Sequence, residues 1–92
     1  MVAFVWDEEK ARANLRKHGV SFDEARSAFG DPFALEFADD RFDYSEDRFV
    51  LIAMAGPRLL TVVHVEHDDV YRLISAWPST RAERNAYFDA QT

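Results

Sequence analysis

His64 and Glu66 stand two residues apart in an apolar stretch running from Leu59 to Glu66. Alternate residues of a β-strand point to one face, so the imidazole and the carboxylate share a side. An imidazole titrates near neutrality and a carboxylate well below it. Together they can take a proton from one group and give one to another. Arg72 lies a short way downstream and offers a planar guanidinium, the fork that matches a phosphate. Its side depends on the intervening turn. A three-residue turn at 67–69 pairs His64 with Arg72, whereas a two-residue turn at 68–69 pairs Val65 with Arg72 and sends the arginine to the other face. The sequence leaves both open.

Other side chains could bind an anionic substrate. Lys17 and His18 close a helical stretch, Arg48 opens a strand, and Arg81 and Arg84 are three apart on a final helix. Trp77 could stack on an unpaired base. Each also has a structural reading. A histidine in an apolar strand can be a hydrogen-bonded core residue. Glu66 can solvate a strand end, and Arg72 can pair with acidic neighbours. Lys17 and His18 can complement the carbonyls at a helix C-terminus. Arg81 and Arg84 can form a solvated face or hold a partner, and Trp77 and Phe88 can be core or interface anchors.

The elements that must position these groups can be read along the chain. Val2, Phe4 and Trp6 alternate with Ala3 and Val5 as a short strand. Asp7 then caps a helix that ends at Arg16-Lys17-His18 and Gly19. Ser21 and Glu24 form a capping box for a second helix, stopped by Gly30-Asp31-Pro32. Phe33 to Phe37 alternates as a strand, and Ala38 to Glu46 is a polar, acidic loop. Strands follow at Arg48 to Ala55, Leu59 to Glu66 and Val70 to Trp77, joined by hairpin turns at Gly56-Pro57-Arg58 and His67-Asp68-Asp69. Thr80 and Glu83 cap a last helix. The order β-α-α-β-β-β-β-α predicts an α+β domain with a largely antiparallel sheet, helices on one face, and a second face that is open or covered by something else.

With 92 residues, 48% of them hydrophobic, one domain spanning 1–92 is expected. A core of that size is marginal, and a permanent partner would add to it. The absence of cysteine excludes disulfides and thiolate metal sites. The three histidines, at 18, 64 and 67, lack paired metal-ligand spacing, so no metal or cofactor is expected. The start lacks the pattern of a signal peptide and no apolar run is long enough to span a bilayer, which points to the cytoplasm and away from membranes. A net charge of −6 argues against tight nonspecific binding along a nucleic-acid backbone. It leaves room for a cleft of different local potential, and it suits a basic protein partner.

Phe4-Val5-Trp6-Asp7, Lys10-Ala11 and the stretch Asn14 to Ala25 resemble the opening motif of the BrnT toxins. Asp31-Pro32, Asp47-Arg48-Phe49, Val62 to Glu66, Arg72 to Ala76, Thr80, Glu83-Arg84 and Tyr87 continue the resemblance in the family's order. It implies a RelE-like fold and ribosome-independent RNA cleavage without a metal. It also implies neutralisation by a ribbon-helix-helix antitoxin, BrnA, through which alone the complex touches DNA. A homodimer and a heterotetramer with that antitoxin are both open. In this frame Glu66 is the base for the 2′-hydroxyl, His64 the acid for the leaving oxygen, and Arg72 the phosphate clamp. Where the family usually carries a basic pair, this chain has Trp77-Pro78. Two functions follow from that difference: an active endoribonuclease toxin, or a weakly active or inactive interaction subunit that binds an antitoxin or its own copy.

Overall fold

Local chemistry sets the helix boundaries. In the computed structural model, which describes residues 2–40 and 46–92, the Asp7 carboxylate accepts from the amides of Glu9 and Lys10 and starts α1, Glu8–His18. Gly19 ends it in the left-handed conformation, φ 70, with its amide donating to Leu15. The Ser21 hydroxyl accepts from the Glu24 amide and starts α2, Phe22–Ser27, which tightens into a 3-10 turn at Ala28–Gly30. Thr80 and Glu83 form a complete capping box for α3, Arg81–Asp89. All three starts match the sequence expectation. Among the described residues, no helix is long and apolar enough to cross a membrane.

The strands are β1 Ala3–Val5, β2 Leu35–Ala38, β3 Arg48–Ala55, β4 Arg58–His67 and β5 Val70–Pro78. They form one sheet in the order β1-β5-β4-β3-β2. Strands β2 to β5 pair antiparallel, as expected, and the element order is the expected β-α-α-β-β-β-β-α. Strand β1 adds to the outer edge of β5 in parallel. Residues 41–45 of the expected Ala38–Glu46 loop lie outside the described residues.

Both hairpin turns have two residues. Ala55 pairs with Arg58, and Gly56 supplies the positive φ of 60 that a tight turn needs before Pro57. His67 pairs with Val70, and Asp68 takes φ 53. The register then runs Glu66 to Tyr71, Val65 to Arg72 and His64 to Leu73. A bulge follows, because Val63 pairs with Ser75 and leaves Ile74 as an extra residue.

Two cores result. On one face, Leu51, Ala53, Leu60, Val62 and Leu73 pack against Val20, Phe22, Ala25 and Ala28 from the α2 segment. On the other, Val50, Ile52, Leu59 and Val63 pack against Tyr87 of α3. The second face is thus covered in part by the chain's own last helix, whereas the sequence suggested that all helices share one face. The Tyr87 hydroxyl donates to Asp31, whose other oxygen accepts from Phe33 N, and Glu83 accepts from Thr61 and Trp77. These polar contacts hold α3 to the sheet.

Beyond Val5, β5 has no further β1 residue beside it, and Asn14 of α1 fills that place. Its amide donates to the carbonyls of Ala76 and Val20, and its oxygen accepts from the Ala76 amide and the Ser75 hydroxyl. Asn14 is buried, so its loss strands backbone groups away from water. Asn14→Ala should lower unfolding stability by about 2–4 kcal/mol in urea titration, whereas the exposed Leu15→Ala should change it little. Equal effects of the two substitutions would show that the clamp is not needed.

Candidate active site on the helix-covered face

The period of β4 and the pairing of its neighbours bring three titratable groups together. His64 Nε2 lies 2.9 Å from Glu66 Oε2 and 3.7 Å from Glu36 Oε2. Glu36 comes from the edge strand β2, where it pairs with Leu51. The His64 side chain is 0% exposed, Glu66 is 26% exposed and Glu36 is 38% exposed. The cluster is therefore layered, with an imidazole at the base and two carboxyls nearer the surface.

Aromatic rings wall in the histidine. Phe29 meets it edge-on at 4.9 Å between centroids, and the rings of Tyr71 and Phe49 lie 5.2 and 5.9 Å away. Burial pushes the His64 pKa below its ordinary 6.5, against the opposing pull of Glu66. The hydrogen-bond pattern assigns the tautomer. Among the described residues Nδ1 is buried without a partner, so the proton of the neutral ring sits on Nε2 and is donated to Glu66. Burial first, and then the charge and hydrogen bond of Glu66, raise the Glu36 carboxyl from its ordinary 4.5 to about 7. Burial and the neighbouring acids Glu66, Glu36 and Asp69 also raise the Tyr71 phenol.

Glu36, His64 and Glu66 each offer one ligand atom, and these atoms lie within 4.8 Å of one another. Metal ligation through Nε2 would move the ring proton to Nδ1, where no acceptor waits. The arrangement thus suits the holding and passing of protons.

Of the sequence candidates, the structure brings His64 and Glu66 together and leaves the rest elsewhere. Arg72 pairs across the strands with Val65 and lies on the opposite face, where its guanidinium pairs with Glu46. The two-residue turn decides this, so the phosphate clamp expected beside His64 is absent from that position. Arg48 shares the Arg72 face through the same Val65. Trp77 packs into the second core, with its indole donating to Glu83 and the His18 ring 6.0 Å away. Lys17 is exposed in the last turn of α1, and Arg81 and Arg84 are exposed on α3, where Arg84 lies over Phe88.

The sequence reading missed Glu36, Tyr71 and Arg26. The signal for Glu36 was a single carboxylate alternating with Leu35 and Phe37, which looks like any solvent-facing strand position. Its partners, His64 and Glu66, come from β4, across β3 and far along the chain. A groove of about 490 Å³ borders the cluster and is lined by Phe4, Arg26, Phe29, Glu36 and Tyr71 among others.

The family profile described as "Ribonuclease toxin, BrnT, of type II toxin-antitoxin system" matches residues 6–83. The chain belongs to this family. An RNA target and an antitoxin partner come with membership in a family of ribonuclease toxins. The match includes all three cluster residues. No curated protein matches the chain.

The raised Glu36 carboxyl has a measurable consequence. The folded chain holds a proton there that the unfolded chain gives up. This contribution to stability is complete below 4.5 and is lost as pH rises through about 7. His64 acts in the opposite sense, since the unfolded ring gains a proton below its ordinary 6.5 more readily than the buried one. Glu36→Gln removes only the first effect. Relative to wild type, its stability should rise between about pH 4.5 and pH 7 in urea titrations and level off above that. A difference that stays flat with pH would mean that Glu36 titrates as an ordinary surface acid.

Proposed function

We propose that the chain is an endoribonuclease toxin that cleaves RNA without a metal, with its proton chemistry at the His64–Glu66 pair, and that a basic ribbon-helix-helix antitoxin of the BrnA type neutralises it. The observation that supports this reading is the hydrogen bond from a buried neutral imidazole to a partly exposed carboxylate at the edge of an aromatic-lined groove. Glu66 can accept the 2′-hydroxyl proton. His64, too deep to touch substrate itself, orients that carboxylate and stabilises its charge. The net charge of −6 favours a basic partner.

One observation favours the second reading, a subunit that binds without cleaving. Phe33, Phe37 and Phe88 are exposed on the side away from the cluster, around the unpaired edge of β2 and the end of α3. Such a patch suits a protein partner. The two readings separate in one assay.

The purified chain should cleave single-stranded RNA in EDTA and leave 2′,3′-cyclic phosphate and 5′-hydroxyl ends. Glu66→Gln should lower the rate by about 10²-fold or more. Arg72→Ala should leave it nearly unchanged. Metal-dependent cleavage would refute the chemistry, and a strong loss with Arg72→Ala would put the RNA on the other face. Binding of the antitoxin by a chain that never cleaves would establish the second reading.

A further inference from the structure

Within the cluster, Glu36 forms part of the groove wall, Glu66 is 26% exposed beside it, and His64 is buried beneath both. Among the described residues, the other charged side chain in that wall is Arg26 of α2. Three rings complete it. Phe4 and Phe29 are 5.0 Å apart, Phe29 and Tyr71 are 5.6 Å apart, and Phe4 and Tyr71 are 5.8 Å apart. A proton-bearing group, a cation and a continuous aromatic surface are what an unpaired nucleotide needs beside a scissile phosphate.

We propose that Glu36 is the catalytic acid of this site, that Arg26 contacts the phosphate in place of the arginine expected on β5, and that an unpaired base lies against Phe4, Phe29 and Tyr71. This rests on the ribonuclease reading above and adds the residues that meet the substrate.

The step balances with the groups present. The 2′-oxygen bonds to phosphorus as its proton passes to Glu66. The bond from phosphorus to the 5′-oxygen breaks, and Glu36 gives that oxygen its proton. The products are a 2′,3′-cyclic phosphate and a 5′-hydroxyl. Glu66 then holds the proton that Glu36 lost, and it passes back between the two carboxyls, whose oxygens lie within 4.8 Å of one another. The groups facing Glu36 are His64 and Glu66 from β4 and Tyr71 from β5, and Arg26 from α2 lines the same groove. A carboxyl raised to about 7 is suited to an acid working near neutral pH. Arg26 lies 3.1 Å from Asp23 and 6.0 Å from the Trp6 ring centroid. That exposed pair is weak and screened, so a phosphate can compete for the guanidinium.

The test uses the purified full chain and three oligonucleotides: an RNA, its uncleavable 2′-deoxy analogue, and an RNA whose leaving 5′-oxygen is replaced by sulfur. A thiolate leaves without protonation, so the sulfur substrate needs no acid. Glu36→Gln should cleave the ordinary RNA about 10²-fold more slowly or worse. It should cleave the sulfur substrate at close to the wild-type rate and bind the deoxy analogue normally. Arg26→Ala should weaken binding of the analogue and flatten its salt dependence by about one phosphate contact. Glu36→Asp, which keeps a proton to give, should recover part of the lost rate. Cleavage of ordinary RNA that survives Glu36→Gln, or a loss that sulfur does not rescue, overturns the acid assignment and leaves the ribonuclease reading intact. Unchanged analogue binding by Arg26→Ala overturns the phosphate contact. A wild-type chain that cleaves none of the RNAs overturns the ribonuclease reading and this assignment with it.

Discussion

The register of the β4–β5 hairpin is the constraint on which the site depends. With two residues in the turn, Tyr71 stands across from Glu66 and Arg72 across from Val65. One more residue in the turn would exchange the two faces of β5 near His64 and put Arg72 across from it, where Leu73 now lies. The turn is held in spite of a local cost, since Asp68 adopts a positive φ that suits glycine better. The fit of β5 between two cores offsets that cost: Leu73 must reach the α2 side, and Ile74 and Trp77 must reach the α3 side. The bulge at Ile74 lets the strand meet both demands, restoring Ala76 to the first core after the register has shifted.

The aromatic wall around His64 is a consequence of the same register. Tyr71 completes a set of rings with Phe29 and Phe49, and the imidazole sits dry and neutral among them. A neutral ring with its single proton on Nε2 has one use for it, the carboxylate of Glu66. The fixed carboxylate in turn acts on Glu36, whose carboxyl cannot ionise at its ordinary pH beside a like charge and away from water. Packing, tautomer and proton affinity are thus successive effects of one strand pairing.

Much of this was legible in the residues. Cap signals at Asp7, Ser21 and Thr80 located the helix starts because capping is local chemistry. The alternation of β4 put His64 and Glu66 on one face because a strand has a period of two. Three things were not legible. The choice between turn lengths at 67–69 rests on how β5 packs, which no local pattern reports. The parallel place of β1 and the far-side docking of α3 depend on contacts between chain ends, such as Tyr87 with Asp31. Glu36 reaches His64 only across β3, so no spacing in the sequence links them.

The acidity of the chain is compatible with an RNA-binding groove once the charges are placed. Several of the acids are used where they stand: Glu8 and Glu9 in the first turn of α1, Asp31 under Tyr87, Glu24 against Arg58, and Glu46 against Arg72. Among the described residues that line the groove, the one carboxyl is the one that burial and Glu66 keep protonated toward neutral pH, and Arg26 is the one cation. The local charge there is then nearer positive than the total of −6 suggests. A phosphate approaching that face meets the cation, a protonated acid and the Glu66 carboxylate that takes the 2′-proton. As the pH rises and Glu36 ionises, the same groove turns against it. The same burial and like-charge neighbour that let Glu36 hold a proton therefore also lower the repulsion an acidic chain would otherwise present to RNA.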